Sequence, residues 1–130
     1  MKVTPLLSNL GQSICLDNIT RDLLNTGTLK QSISDLPVTS LTSNLTNFDH
    51  ASRNSSACDA GICDELAKGR SGKTLFFDLA GEDVARAADL FGPIYDGTNT
   101  VDAWTSLEVS PLLAAPTPIR GYPRRSWIAS

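Results

Sequence analysis

The chain reads Leu16-Asp17-Asn18-Ile19-Thr20-Arg21 where its first strand-like run gives way to a helical pattern. Two later strings share this design, with an amide or an acid at the end of a short apolar stretch: Leu41-Thr42-Ser43-Asn44 and Ser106-Leu107-Glu108-Val109-Ser110-Pro111. In parallel β/α proteins, active-site side chains gather at the C-terminal ends of the strands. The three strings therefore predict a site formed by Asp17, Asn44 and Glu108.

Three apolar, β-compatible segments are expected to form strands, at residues 12–16, 38–42 and 103–109. Helical patterns fill the sequence between them, so strands and helices alternate along the chain. Such alternation favours parallel strands that are joined by helical crossovers. The predicted fold class is therefore α/β, with about three parallel strands.

Capping and breaking residues set the expected limits of the shorter helices. Thr20 can cap the first helix after strand one, and Gly27 supplies a C-terminal stop. Pro37 ends the next short helix, because the residue before a proline is pushed out of the α region. Residues 44–70 predict one or two further helices of mediocre propensity.

The strongest helical pattern covers residues 72–90 and is expected to close at Gly92-Pro93. An apolar stripe runs along it, formed by Leu75, Leu79, Val84, Ala87 and Leu90. The solvent-exposed side of the helix is expected to carry Glu82, Asp83, Arg86 and Asp89.

Composition indicates a soluble globular domain. Hydrophobic residues make up 41% of the 130 residues and charged residues 19%, which argues against disorder. The net charge of −3 disfavours nucleic acid and anionic membranes as partners. No apolar stretch approaches the roughly 20 residues of a membrane span, and we expect a cytoplasmic protein.

The cysteines and the single histidine offer no ligand pattern. Cys15, Cys58 and Cys63 are odd in number, which argues against a closed disulfide framework. We expect them to be small buried hydrophobes in a reducing cytoplasm. Zinc needs about three or four ligands of suitable spacing, and with His50 alone the sequence predicts no metal site.

The sequence changes character after Ala114. Residues 115–130 are rich in proline and arginine, contain no acid and follow neither a helical nor a strand period. We predict one structured unit over residues 1–114 and an unstructured tail over residues 115–130. The alternative is a rigid peptide that docks on a partner in extended form.

One segment fits a relaxed phosphate-loop pattern: Ala67-Lys68-Gly69-Arg70-Ser71-Gly72-Lys73-Thr74. A true phosphate loop follows a strand and opens a helix, whereas the residues before Ala67 look helical. The competing interpretation is a turn between helices, in which Gly69 ends one helix and Ser71 or Thr74 caps the next.

Each candidate site residue also has a structural interpretation. Asp17 and Asn44 could simply cap the helices that follow their strands. Glu108 lies between Leu107 and Val109 in an apolar strand, where a buried carboxylate costs several kcal/mol unless it is paired. A position facing a barrel mouth explains this glutamate better than a packed core does.

Together the strings resemble transaldolases over about residues 11–114. The opening of that family is matched by Gly11-Gln12-Ser13-Ile14-Cys15-Leu16-Asp17-Asn18-Ile19-Thr20-Arg21. Its second-strand and third-strand signatures resemble Val38-Thr39-Ser40-Leu41-Thr42-Ser43-Asn44 and Ser106-Leu107-Glu108-Val109-Ser110-Pro111. Two of its helices resemble Leu75-Phe76-Phe77-Asp78-Leu79-Ala80 and Ala87-Ala88-Asp89-Leu90-Phe91. The resemblance implies a (β/α)8 (TIM) barrel, of which this chain would form the N-terminal part, strands one to three.

The resemblance implies a cofactor-free transferase of carbohydrate metabolism, in the pentose phosphate pathway. Such enzymes move a dihydroxyacetone unit from sedoheptulose 7-phosphate to glyceraldehyde 3-phosphate through a Schiff base. By motif matching, Asp17 would be the acid/base of carbon–carbon cleavage, and Glu108 would act with a water as the Schiff base forms and hydrolyses. Asn44 would hold substrate hydroxyls, and sugar phosphates would be the ligands.

The sequence departs from the family at the Schiff-base lysine, which that family carries on strand four. The lysines here are Lys2, Lys30, Lys68 and Lys73, and all of them precede strand three. We therefore expect a chain truncated or frameshifted after about residue 114 and inactive on its own. The alternative is a non-catalytic fragment that is inert or serves as an interaction module, with self-association through an exposed strand edge.

Overall fold

A computed structural model describes residues 3–108 and 126–129. Its four strands are β1 (Cys15–Asp17), β2 (Ser40–Asn44), β3 (Thr105–Glu108) and β4 (Ser126–Ala129). All neighbours pair in parallel, in the order β1-β2-β3-β4. The predicted α/β class and the three parallel strands are confirmed, and the arrangement is consistent with part of a TIM barrel.

The fourth strand lies in a segment for which the sequence analysis predicts no regular structure. β4 runs beside β3, with Ser126 level with Thr105 and Ala129 level with Glu108. Its central residues, Trp127 and Ile128, are types that favour strands, and the proline content of the preceding residues obscures that signal. Residues 109–125 and 130 lie outside the described residues, so the boundary at residue 114 stays a prediction, as does the lack of regular structure in the part of the tail outside β4.

Among the described helices, the first precedes β1, and the others connect β1 to β2 and β2 to β3. They are α1 (Val3–Asn9), α2 (Arg21–Asn25), α3 (Thr28–Asp35), α4 (Leu45–Arg53), a 3-10 turn (Ser56–Cys58), α5 (Asp59–Ala67) and α6 (Gly72–Gly97). Thr20 caps α2 as predicted, since its side-chain oxygen accepts a hydrogen bond from the backbone N–H of Leu23 at 3.1 Å. Gly27 follows α2 with a left-handed φ of 76°, which is the conformation of a glycine stop.

Helix α6 spans 26 residues, Gly72–Gly97, and so runs past Gly92-Pro93, where the sequence analysis predicts its end. A proline inside a helix costs about 3 kcal/mol through its missing N–H and its ring. Here Phe91 is fully buried just before the proline, and Ile94 and Tyr95 pack on the same core just after it. The continuation is therefore favoured by tertiary packing, which local rules do not include.

Two hydrophobic clusters hold the sheet to the helices, and α6 contributes to both. One contains Ile19, Leu29, Val38, Leu41, Ala87, Phe91 and Ala103. The other contains Phe48, Leu79, Ala80, Val84 and Leu107, with the ring of Phe76 meeting that of Phe48 edge-on at 4.8 Å. The predicted stripe of α6 is confirmed, because its members pack against one cluster or the other.

A buried ion pair joins α2 to α6. The Nε of Arg21 donates to Asp83 Oδ1 and its Nη2 donates to Glu82 Oε2, both at 2.9 Å. Asp83 is 0% exposed, so the prediction that it lies on the solvent-exposed side of the helix is wrong. Its partner Arg21 reaches it from another helix, which removes much of the penalty for burying a charge.

Burial also affects the pKa values of both Asp83 and Arg21. Burial raises the pKa of the Asp83 carboxyl, and the hydrogen bond and charge of Arg21 only partly oppose that rise. For Arg21, burial disfavours the charged guanidinium, but the hydrogen bonds and charges of Asp83 and Glu82 together outweigh this effect and raise its pKa. Because its pKa is raised, the Asp83 carboxyl holds its proton more tightly in the folded chain than in the unfolded chain.

Helix α5 approaches this ion pair at Gly61. A Cβ at this position would lie 2.7 Å from Arg21 Nη1 and 2.9 Å from Leu79 Cδ2. The guanidinium has little freedom to move away, because two carboxylates hold it. We expect Gly61→Ala to destabilise the fold by about 1–3 kcal/mol through overpacking, despite alanine's higher helix propensity.

The matched control is Gly97→Ala, at the end of α6, where nothing lies within 4 Å of an added Cβ. Urea unfolding followed by circular dichroism compares the two variants with the wild type. Equal stabilities of the Gly61→Ala and Gly97→Ala variants would show that α5 does not pack closely at Gly61.

The cysteines agree with expectation only in part. All three are free thiols. Cys58 is buried, as predicted, but Cys15 and Cys63 are exposed. Cys15 lies two residues before Asp17 and so on the same face of β1, and both residues are exposed.

Candidate functional site

The three candidate residues each end a strand. Asp17 is the last residue of β1, Asn44 of β2 and Glu108 of β3. In the sheet register Asn44 is level with Glu108, while Asp17 is level with Thr42, two residues before Asn44. Because side chains alternate between faces with a period of two, all three project from the same face.

That face is the open one. Its described side chains are half-buried or exposed, and they belong to Cys15, Asp17, Ser40, Thr42, Asn44, Ser106 and Glu108. On the opposite face, Leu41, Ser43, Thr105 and Leu107 are buried beneath the helices. The candidate residues therefore share a polar surface, and the apolar residues between them form the core.

Two hydroxyl residues missed by the sequence analysis lie within this surface. Ser106 Oγ donates a hydrogen bond to Thr42 Oγ1 at 3.2 Å, across the β2–β3 boundary. Each stands two residues before a predicted site residue, Thr42 before Asn44 and Ser106 before Glu108. The period of two along a strand is the signal that could have found them.

Asn44 has a structural task as well. Its side-chain Oδ1 accepts a hydrogen bond from the backbone N–H of Asn47 at 2.8 Å and so caps α4. The capping interpretation of Asn44 is therefore confirmed. Because the cap uses the amide oxygen of Asn44, its amide NH2 group would donate the hydrogen bond to a ligand acceptor on the open face.

Asp17 and Glu108 are both exposed at their strand ends. Asp17 does not cap α2, because Thr20 fills that position, so the capping interpretation of Asp17 is wrong. Glu108 avoids the cost of an unpaired buried carboxylate by facing solvent, in agreement with its expected position outside a packed core.

The phosphate-loop pattern lies in a turn between helices. α5 runs up to Ala67, so a helix and not a strand precedes it, and Gly69 adopts a left-handed φ of 76°. Arg70 contacts Asp78 at 2.6 Å and Glu65 at 3.4 Å. Ser71 holds the position before α6 without a side-chain capping bond. The turn interpretation is confirmed, although its expected serine cap is not formed.

The described lysines lie away from the sheet. Lys30 is on α3, Lys68 follows α5 and contacts Glu65 at 2.5 Å, and Lys73 is in the first turn of α6. Lys2 lies outside the described residues. None of the strands β1 to β4 contains a lysine.

Residues 3–108 and 126–129 contain neither a candidate metal site nor a candidate membrane span. Among these residues, no group of three or more histidine, cysteine, aspartate or glutamate side chains is arranged to hold a metal ion. No helix in this part of the chain has the length and apolar character that crossing a membrane requires.

Several known transaldolases are similar to this chain in sequence. No family model matches the chain. Over 111 residues it is 39% identical to transaldolases of Arthrobacter sp. (strain FB24) and Saccharopolyspora erythraea, and 33% identical to that of Trichodesmium erythraeum. Each match covers 85% of this chain but only 29–30% of the relative. The chain thus spans about 30% of the length of the curated relatives it matches.

Proposed function

We propose that this chain, which is related in sequence to transaldolases over 85% of its length, carries the proton-transfer and hydroxyl-binding side of a transaldolase site. One observation carries the proposal: Asp17, Asn44 and Glu108 end three adjacent parallel strands and project from one open face. The ligands would be sugar phosphates, in the pentose phosphate pathway of the cytoplasm.

The proposed reaction needs both an amine and a base within reach of the bound substrate. The amine adds to the ketone of a ketose phosphate, and loss of water leaves an iminium that accepts electrons. The base then takes the proton of the C4 hydroxyl as the C3–C4 bond breaks, and the bonding electrons form an enamine. We assign this base to Asp17, whose exposed carboxylate at the end of β1 can reach a bound hydroxyl.

Glu108 and Asn44 serve the water steps in this proposal. Forming the iminium releases a water, and hydrolysing it after transfer consumes one, so each step requires proton movement at that water. Glu108 would exchange the proton, and the Asn44 amide would orient a substrate hydroxyl beside it. Their level positions on β2 and β3 support this division of roles.

The amine is the component that these strands do not supply. The described lysines lie on or next to helices α3, α5 and α6, and none follows a strand end of the open face. We infer that this chain alone does not transfer dihydroxyacetone units. An amine from another chain would be required for turnover, and without one the protein is a non-catalytic relative.

A coupled assay tests this proposal. The chain, made in a host that lacks transaldolase, is supplied with sedoheptulose 7-phosphate and glyceraldehyde 3-phosphate, and release of erythrose 4-phosphate is followed. We expect a rate equal to that of the Asp17→Asn variant. Turnover above that variant would contradict the inferred inactivity.

The binding half of the proposal is tested by titrating sedoheptulose 7-phosphate into the 15N-labelled chain. We expect saturable amide shifts at the ends of β1, β2 and β3 that weaken in Asp17→Asn. An unchanged spectrum would favour the inert alternative over a site that retains its ligand.

A further inference from the structure

Most of the large apolar side chains that the structure leaves exposed lie toward one end of the fold. They are on α1 or in the segments that lead into the strands, and they include Val3, Leu6, Leu7, Leu10, Leu36 and Val101. This is the N-terminal end of the strands, opposite the end that carries the candidate site. Apolar residues gathered in one exposed area commonly mark an interaction surface.

Hydrogen bonds join the segments at this end to one another. The backbone N–H of Thr39, before β2, donates to the carbonyl oxygen of Ile14, before β1, at 2.9 Å. The hydroxyl of Ser13 donates to the carboxylate of Asp102, which precedes β3. The exposed apolar residues of these segments are close to these bonds in sequence, so they belong to one surface.

Helix α1 presents an apolar stripe that its own chain does not bury. Val3, Leu6, Leu7 and Leu10 follow the i, i+3, i+4, i+7 spacing of one helix face. No residue of α1 is buried, and within the described part of the chain neither hydrophobic cluster includes one. An isolated helix of seven residues is marginal in water. We therefore expect the stripe to pack against an apolar partner.

The charge distribution indicates that this partner is a second copy of the chain. Residues 3–108 contain all 14 acidic residues and only seven basic ones, so these parts of two copies repel each other on average. The apolar end is the exception, because residues 3–13 and 36–40 carry no charged side chain. Residues 97–104 contain a single acid, Asp102, and its carboxylate is hydrogen-bonded. Two copies can therefore meet at this end with little repulsion.

We propose that two copies of this chain associate through this end, with their α1 stripes packed antiparallel across a two-fold axis. Such a contact brings the same patch of both copies together, and the centre of the stripe, at Leu6, then meets its own counterpart. Asp35 and Asp96, which border the uncharged segments in sequence, would lie at the rim, where interfaces are commonly polar. The candidate site is at the other end of the strands, so it stays open in both copies.

Sedimentation equilibrium of the full chain measures this association. We expect the average mass to rise with concentration from 13.9 kDa toward twice that value and no further. Leu6→Lys and Leu6→Glu each place like charges at the two-fold axis, so each should weaken the dimer by about tenfold or more. An equimolar mixture of the two variants should restore the dimer, because opposite charges then meet at the axis. Unfolding of a variant cannot produce that recovery.

Leu66→Lys is the matched control. Leu66 is 53% exposed but lies on α5, away from the proposed surface, so this variant should dimerise like the wild type. Circular dichroism establishes that each variant keeps its helices.

A wild-type chain that stays at 13.9 kDa at every concentration would overturn the proposal. So would a dimer that Leu6→Lys does not weaken, or a mixture of the two Leu6 variants that stays monomeric. Growth beyond a dimer that Leu6→Lys leaves intact would assign the association to strand edges instead. None of these measurements uses a sugar phosphate, so their outcome is independent of the proposed function.

Discussion

Replacing Arg21 with methionine is expected to lower the free energy of unfolding by about 3–5 kcal/mol, because the change leaves the Asp83 carboxyl buried without its partner. Arg21 is 8% exposed and Asp83 is 0% exposed, so water cannot replace the lost hydrogen bonds. The second Asp83 oxygen, Oδ2, already lacks a hydrogen-bond partner. Urea unfolding at neutral pH, followed by circular dichroism, measures the loss.

A surface ion pair provides the matched control. Arg53 contacts Asp49 at 2.9 Å one helical turn away, and both side chains are largely exposed. Arg53→Met should therefore cost less than about 0.5 kcal/mol. Equal losses from Arg21→Met and Arg53→Met would contradict the buried pair.

The double variant Arg21→Met/Asp83→Leu separates the ion pair from the packing around it. It removes both charges and fills the space with apolar atoms, so it should recover much of the stability lost in Arg21→Met. If the double variant is as unstable as the single one, the loss comes from packing and not from the uncompensated carboxyl.

The raised pKa of Asp83 also makes the stability loss of Arg21→Met depend on pH. A carboxyl whose pKa is raised by folding binds its proton more tightly in the folded state than in the unfolded state. Protonation of Asp83 therefore stabilises the fold. That contribution is lost as the pH rises through the folded pKa. Removing Arg21 raises the pKa of Asp83 further, so the deficit of Arg21→Met should shrink between pH 7 and roughly pH 5.

Phe91→Ala is expected to destabilise the fold by about 3–5 kcal/mol, the usual cost of removing a large buried aromatic side chain. Phe91 is 0% exposed and belongs to the cluster that joins α6 to β1 and β2. Its loss also removes a reason for α6 to continue through Pro93, so helical circular dichroism should fall as well. The same urea unfolding curves give both quantities.

Leu66→Ala is the control for this substitution. Leu66 lies on α5 and is 53% exposed, so its truncation should change the stability by no more than about 0.5 kcal/mol. A small effect of Phe91→Ala, comparable to that of Leu66→Ala, would show that the cluster around Phe91 does not hold α6 in place.

The strand ends can be predicted from sequence because their signals are local. Asp17, Asn44 and Glu108 each follow a short apolar run, and the pleat then determines which face they share. The structure moves β1 and β2 about two residues toward the C-terminus of the predicted segments, to Cys15–Asp17 and Ser40–Asn44. That shift places Asp17 and Asn44 within the strands as their last residues.

What the sequence analysis misses depends on distant partners. Asp83 is buried because Arg21, 62 residues away along the chain, reaches it. The continuation of α6 past Pro93 depends on a hydrophobic core whose residues come from segments that are far apart in the sequence. The Thr42–Ser106 hydrogen bond spans 64 residues, and only the sheet register makes it visible. Local propensity carries no information on such pairs.

The central claim is the proposal that this chain gathers acid–base and hydroxyl-binding groups on one sheet face, with no lysine beside them among the described residues. Sodium borohydride reduces an iminium to a stable secondary amine, so trapping in the presence of sedoheptulose 7-phosphate reports directly on such an amine. Intact mass spectrometry is expected to show the unmodified chain, while an intact transaldolase treated in parallel gains a sugar-derived adduct. A reduced adduct on this chain, mapped to one of its own lysines, would contradict the account.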